Sequence, residues 1–455
     1  VNPETYKTHF SKNFTIAFPV MLSQLGHILV GVADSMMVGQ LGPEPLGAIS
    51  LSNSILGVVM LFGIGVSYSI TPLIAAADGK GNLPRLSVVF RNGFVVMLGT
   101  GLVLAALVNG ASPLLYHMNQ PEAVVTKALP YLGTVAYSFI PFMLFTSFKQ
   151  YAEGLSFTKI ATVLTVGANA VNIFLNYLLI YGNWGFPALG LVGAAYATFI
   201  ARVLMMIMMA IYVTRSSWFN LPEVLGRAIE GTMIVRMLKM GIPMGMQFVF
   251  EAGAFGAAGI MMGWLGTKAL AAHQIAISLA AVSYMMASGI SAASTVRVGN
   301  QLGKGDIPNL RRAGFTSFGM GGVFMAFCAL AFLLFPRFLA ELFIQDESIV
   351  QLSVSLLIIA AFFQISDGLQ VVALGALRGL ADVKIPTLIT LFAYWIIGLP
   401  VGYLLSFTLE FGASGVWYGL LTGLTVTAIL LLIRFNYISL QKQSTEPSAE
   451  QAVEV

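Results

Sequence analysis

Three carboxylates interrupt long apolar stretches of this sequence. Asp34 sits in GVADSMMVGQLG, Glu251 about midway along the apolar run at 238–264, and Asp367 in FFQISDGLQVV. A charged side chain near the centre of a membrane helix costs roughly 2.5–3.5 kcal/mol on insertion scales, so each is a functional-site candidate by default. The chemistry open to such a group is reversible capture of a proton or a metal cation, because burial favours a neutral carboxyl and a nearby cation favours the ionised one.

Polar neighbours accompany the acids. Gln364 and Gln370 flank Asp367 at spacings of three, which places all three on one broad helical face. These two glutamines, with Gln247 and Ser366, are candidate oxygen ligands around a pair formed by Glu251 and Asp367. A proton and Na+ suit that pair equally, and spacing does not separate them. Gln24 and His27 precede Asp34 on a similar face of its helix. In GANAVNIFLNYLL, residues Asn169, Asn172 and Asn176 form an i, i+3, i+7 stripe suited to an interior cavity on the Asp34 side. Plainer readings stand beside these: the asparagines as hydrogen-bonding glue between helices, and His27 as one fixed hydrogen bond. Tyr151 and Arg202 carry weaker claims, and Arg378 reads as an anchor at the cytoplasmic interface.

The elements that position these groups follow from composition. The chain has 455 residues, 57% hydrophobic and 9% charged, against roughly 25% charged in a soluble domain. Its mean hydropathy is +0.85. An all-α integral membrane protein is expected, since apolar runs near 20 residues are too long for barrel strands and helices satisfy their own backbone groups in lipid. Such runs fall at 14–38, 46–73, 88–110, 129–149, 160–181 and 190–213, then at 238–264, 270–293, 312–335, 353–374, 386–407 and 413–435. Twelve transmembrane helices are therefore predicted.

The two sets of six repeat each other. At an offset of 224, Pro19 meets Pro243, Leu41-Gly42 meets Leu265-Gly266, Gly79-Lys80-Gly81 meets Gly303-Lys304-Gly305, and Pro84 meets Pro308. Farther on, Gly154-Leu155 meets Gly379-Leu380 at 225. A near-constant offset implies duplication. Six crossings per repeat put both halves in the same orientation, related by a parallel pseudo-twofold axis. The expected organisation is a six-helix bundle at 1–213, a cytoplasmic connector at 214–237 with a short helix near VLGRAIEG, a second bundle at 238–440 and a flexible cytoplasmic tail at 441–455. The acids break the symmetry: Asp34 falls opposite Ala258, Glu251 opposite His27 and Asp367 opposite Phe142. Lysines and arginines gather at the termini and on loops sharing their side, with only Lys127, Lys268 and Arg337 opposite, so both termini are predicted cytoplasmic.

Other chemistries find little support. Cys328 stands alone, and His9, His27, His117 and His273 lack ligand spacing. Gly63-Ile64-Gly65 and Gly79-Lys80-Gly81 lack the phosphate-loop pattern, and no serine–histidine–acid set emerges. Neither an enzyme nor a nucleic-acid binder is expected, and no resident cofactor. The first residues, VNPETYKTHFSKN, are too polar for a cleavable signal peptide.

The sequence resembles the bacterial branch of the multidrug and toxic compound extrusion family over about residues 10–440. The resemblance rests on FPVMLSQLGHILVGVADSMMVGQLG, on QYAEGLSFTKIATVLTVGANAVNIFLNYLLIYG, on Phe250-Glu251 with LAAHQIA, and on DGLQVVALGALRG from Asp367. It implies two six-helix bundles around a central cleft. It also implies exchange of protons or sodium ions for amphipathic, often cationic compounds in a bacterial cytoplasmic (inner) membrane. Asp34, with Asn172 and Asn176, matches the family's substrate- or proton-binding positions. Glu251 and Asp367 match its cation-coupling acids. Phe363 departs from the tyrosine that some sodium-coupled members carry. Membrane lipids and small molecules are the expected partners, and function as a monomer is expected. The competing reading is a flippase for lipid-linked precursors, which calls for more basic charge inside the bundles. An ion channel is a further alternative.

Overall fold

The computed structural model describes residues 4–117 and 120–444. Among them, twelve helices are long and apolar enough to cross a membrane, and no strand occurs. In chain order they are α1 Tyr6–Gly39, α2 Pro43–Gly79, α3 Leu83–His117, α4 Glu122–Gly154, α5 Thr158–Tyr181, α6 Gly190–Arg215, α7 Gly231–Trp264, α8 Thr267–Lys304, α9 Ile307–Leu334, α10 Glu347–Gly379, α11 Lys384–Thr408 and α12 Gly412–Gln443. Each expected apolar run lies within one helix, except that the ninth stops one residue early, at Leu334. Most helices outrun their apolar stretch: α8, at 38 residues, is about 57 Å long, well beyond the roughly 30 Å of hydrocarbon. The expected flexible tail falls at 445–455 outside the described residues, while 441–444 continue the last helix.

Duplication is visible in the backbone. Asn82 and Asp306, at matched positions before α3 and α9, each accept the backbone N–H three residues on at 3.1 Å. The preceding turns use glycine at positive φ in both halves, 67° at Gly81 and 74° at Gly305. The turns before α5 and α11 carry left-handed Ser156 and Ala381 at matched positions, φ 70° and 58°.

Several spans are interrupted. α2 breaks after Ser67 and resumes at Ile70, and α4 breaks at Ser138. α11 loosens into π-helical turns at Phe392–Gly398 and Leu404–Thr408. α1 and α7 contain Pro19 and Pro243, each without the N–H that would close an interior helical bond.

The chain gathers into two compact units. One holds the chain up to Met21 and from Phe250 onward, and the other is Leu22–Val249. The division therefore falls inside α1 and α7, not in the connector around 214–237. That connector belongs with the second unit. Trp218 stacks on Phe157 at 4.8 Å, Phe219 meets Phe90 edge-on at 5.1 Å, and Arg91 Nη1 donates to the Val224 carbonyl at 3.0 Å. Its short helix, Leu221–Gly226, begins earlier than expected because Asn220 caps it.

The first part of α1 is fastened within its unit by polar contacts. Asn13 Nδ2 donates to Ser317 Oγ at 2.9 Å, and His9 Nε2 lies 3.2 Å from Asn309 Oδ1. It also meets α8 at Gly289, where a Cβ would lie 2.8 Å from Met21 N. The repeat-related crossing in the other unit is Gly65 on α2 against Gly245 on α7, where a Cβ on Gly65 would lie 2.5 Å from Gly245 Cα. Small residues let helices approach where lipid offers no hydrophobic drive between them. Gly65→Ala is expected to cost about 1–3 kcal/mol through overpacking against backbone. A lowered unfolding temperature in detergent would show it, and an unchanged one would refute the tight crossing.

Candidate functional site

Each unit holds its own acidic cluster. In the Leu22–Val249 unit, half-buried Asp34 on α1 meets α5. Asn176 Nδ2 donates to Asp34 Oδ1 at 2.5 Å. With its amide oriented to satisfy both ends, Asn172 donates to the same oxygen at 2.9 Å and accepts from Thr198 N on α6 at 3.2 Å. The spacing of four on α5 stacks the two amides on one face, and burial of both makes these bonds costly to leave unmade. Both amides engage Asp34 Oδ1, and neither engages Oδ2.

Asn169 does not join them. Its Nδ2 faces Gly26 of α1, 3.0 Å from where a Cβ would stand. Gln24 and His27 are half-buried on α1 and take no part in the hydrogen bonds to Asp34. Arg202 of α6 lies nearby: Nη1 donates to Ser138 Oγ at the break in α4 at 2.7 Å, and the guanidinium covers the Phe142 ring at 5.0 Å. Tyr151 serves packing, buried edge-on to Phe90 at 5.0 Å and stacked on Trp218 at 5.9 Å. Glu153, in the last turn of α4, is buried, with Lys149 at 3.8 Å.

In the other unit, Glu251 on α7 and Asp367 on α10 are both buried, 6% and 3% exposed, and Gln370, three residues beyond Asp367 on α10, reaches Glu251. Gln370 Nε2 donates to Glu251 Oε1 at 3.3 Å, and Gln370 Oε1 accepts from the Tyr394 hydroxyl at 2.9 Å. Asp367 Oδ1 is enclosed and has no hydrogen-bond partner among the described residues. A buried carboxylate oxygen left this way favours the protonated acid or a cation beside it over a bare charge. Gln364 is turned to α8, where its Oε1 accepts from Ser283 Oγ at 2.9 Å. Ser366 pairs with Thr425 at 2.9 Å, away from the acids. Gln247 is buried one turn before Glu251, in the part of α7 that belongs to the other unit. Phe363 packs edge-on against Trp417 at 5.6 Å and brings no hydroxyl. The sequence reading passed over Tyr394, Ser283 and Thr198. The available signal for Tyr394 was a phenol inside an apolar span, since a buried tyrosine hydroxyl needs a partner.

Among the described residues, no group of three or more histidine, cysteine or acidic side chains is placed to hold a metal. The oxygen donors that α7 and α10 present here are the two carboxylates, since Gln370 turns its N–H to Glu251 and its Oε1 is taken by the Tyr394 hydroxyl. They suit a proton or a hard monovalent cation as passing cargo better than a resident transition metal. His273 is buried against Trp417 at 5.7 Å.

Among the described residues, twelve helices long and apolar enough to cross a membrane, with buried acids inside them, define a multi-pass membrane protein. The MatE family model matches the chain twice, at residues 19–178 and 243–404, starting at the paired prolines 19 and 243. A relative described as "Probable multidrug resistance protein NorM" from Rhodopseudomonas palustris is 37% identical over 442 residues, covering 95% of this chain and 93% of its own. "Multidrug resistance protein MdtK" of Yersinia pseudotuberculosis is 32% identical over 437 residues, with 94% and 95% covered. Among solved structures, the eukaryotic MATE transporter AtDTX14 superposes with a TM-score of 0.85 at 20% identity, covering 96% of this chain and 99% of its own. A MATE structure in a bent conformation gives a TM-score of 0.89 at 18% identity, with 98% and 99% covered. This chain belongs to the MatE family. It is a transporter of small molecules and not an enzyme.

Proposed function

We propose that the protein is a secondary active antiporter that exports amphipathic, often cationic compounds in exchange for protons or sodium ions. The observation that carries this reading is the buried pair Glu251 and Asp367, one oxygen of which lacks any hydrogen-bond partner among the described residues. A bare charge on such a buried pair is costly, and the matching positions of the other repeat, His27 and Phe142, carry no acid, so the pair has no structural duty shared between the halves. The names of its relatives support multidrug efflux, and the Asp34–Asn172–Asn176 cluster supplies a carboxylate to attract a cation.

The mechanism is alternating access. Ion capture at Glu251 and Asp367 is linked to release of substrate from the Asp34 cluster, and ion release on the other side restores substrate binding. Linkage requires the coupling to be reciprocal, so substrate must weaken ion binding by the same factor. The two repeats, 1–213 and 238–440, are related in this reading by a parallel pseudo-twofold axis. The protein works as a monomer among membrane lipids in the bacterial inner membrane, with cytoplasmic termini.

Proteoliposomes with independently imposed sodium and proton gradients test this. One gradient alone is expected to drive uphill movement of an amphipathic cation. Flux that only equilibrates substrate under either gradient would overturn antiport.

A further inference from the structure

Tyr394 is not used in the ion capture described above, yet it is joined to Glu251 through one amide. It lies in the π-helical turn Phe392–Gly398 of α11 and is 1% exposed. Its hydroxyl donates to Gln370 Oε1 at 2.9 Å, and Gln370 Nε2 donates to Glu251 Oε1 at 3.3 Å. The next residue, Trp395, donates from Nε1 to the Phe250 carbonyl at 2.9 Å, while the Tyr394 ring lies 6.1 Å from that of Phe255. Consecutive residues of α11 therefore hold α7 on both sides of Glu251. Turns of this type add a residue to the helical repeat and recur at functional sites.

An amide has a donor end and an acceptor end, and a phenol that donates to the carbonyl decides which end faces onward. If the Gln370 amide reversed, the Tyr394 proton would lose its acceptor at a buried position, where an unmade hydrogen bond is costly. We propose that Tyr394 is a positioning residue for the coupling-ion site. It holds the Gln370 N–H toward Glu251, so the carboxylate has a donor when empty and gains no amide oxygen when occupied. A captured proton or sodium ion then lacks one favourable partner and stays releasable. This rests on the coupling role proposed above for Glu251.

The test is exchange of ethidium, as an amphipathic cation, in proteoliposomes over a series of driving-ion concentrations. The variants are Tyr394→Phe, Gln370→Ala and the double variant. Tyr394→Phe frees the amide to present its oxygen and is expected to reach half-maximal flux at about three- to tenfold lower ion concentration, the scale of one hydrogen bond. In the Gln370→Ala background the same change is expected to add nothing, because its effect passes through that amide. An unchanged half-saturation in Tyr394→Phe, a full-sized shift persisting without Gln370, or a Tyr394→Phe protein that does not fold would overturn the positioning role. A wild-type flux indifferent to both ions would instead overturn the coupling reading beneath it.

Discussion

Asp367→Asn is expected to abolish accumulation of substrate against a gradient, leaving a transport ratio within about twofold of unity, while the protein inserts and folds. Asparagine keeps the size and hydrogen-bonding shape of the side chain but removes the charge that exchanges for a proton or cation. The position tolerates this structurally, because Asp367 Oδ1 makes no hydrogen bond to lose among the described residues. Typical couplings between two ligands amount to about 1–3 kcal/mol, and removing one ligand's site removes all of it. Proteoliposomes holding equal amounts of wild type and variant under the same imposed ion gradient provide the measurement. Uphill transport by the variant at the wild-type rate would remove Asp367 from the coupling step. Loss of folded protein in step with loss of transport would mean that the acid is only structural.

Asp34→Asn should weaken transport of cationic substrates by about 10- to 100-fold, the size of a charge-assisted hydrogen bond, and that of uncharged amphiphiles far less. The wild-type carboxylate takes two amide N–H donors on Oδ1, from Asn176 and Asn172, and leaves Oδ2 outside that set. With an amide at 34, the site keeps its shape and loses its attraction for positive charge. Competition for uptake between a permanently cationic dye and a neutral analogue separates the effects. Equal losses for both would place Asp34 in a proton or conformational step shared by every substrate, and no loss for either would remove it from the site.

Much of this molecule was legible without coordinates. Hydropathy is a local property, so each apolar run announced a crossing helix, and the offset of 224 announced a duplication, to which the structure adds matched caps at Asn82 and Asp306. The cost of charge in hydrocarbon made Asp34, Glu251 and Asp367 conspicuous. Spacing on one helix also brought Asn172 and Asn176 to a shared face, and both reach Asp34. Periodicity stopped being informative where the question became which neighbour a face meets. Asn169 belongs to the same stripe but meets Gly26, and Gln364 shares a face with Asp367 but bonds to Ser283.

The sequence by itself determined the membrane class, the count of helices, the duplication and the acids that need a reason, because these follow from composition and from energies each residue carries alone. Only the tertiary structure decided which polar groups meet. Helix rotation and close approach depend on many contacts at once: glycine against glycine at residues 65 and 245, and the π-helical turn that carries Tyr394 to Gln370. The passage of α1 and α7 from one compact unit into the other belongs to the same category, since a helix reads alike in sequence whichever neighbours it packs against.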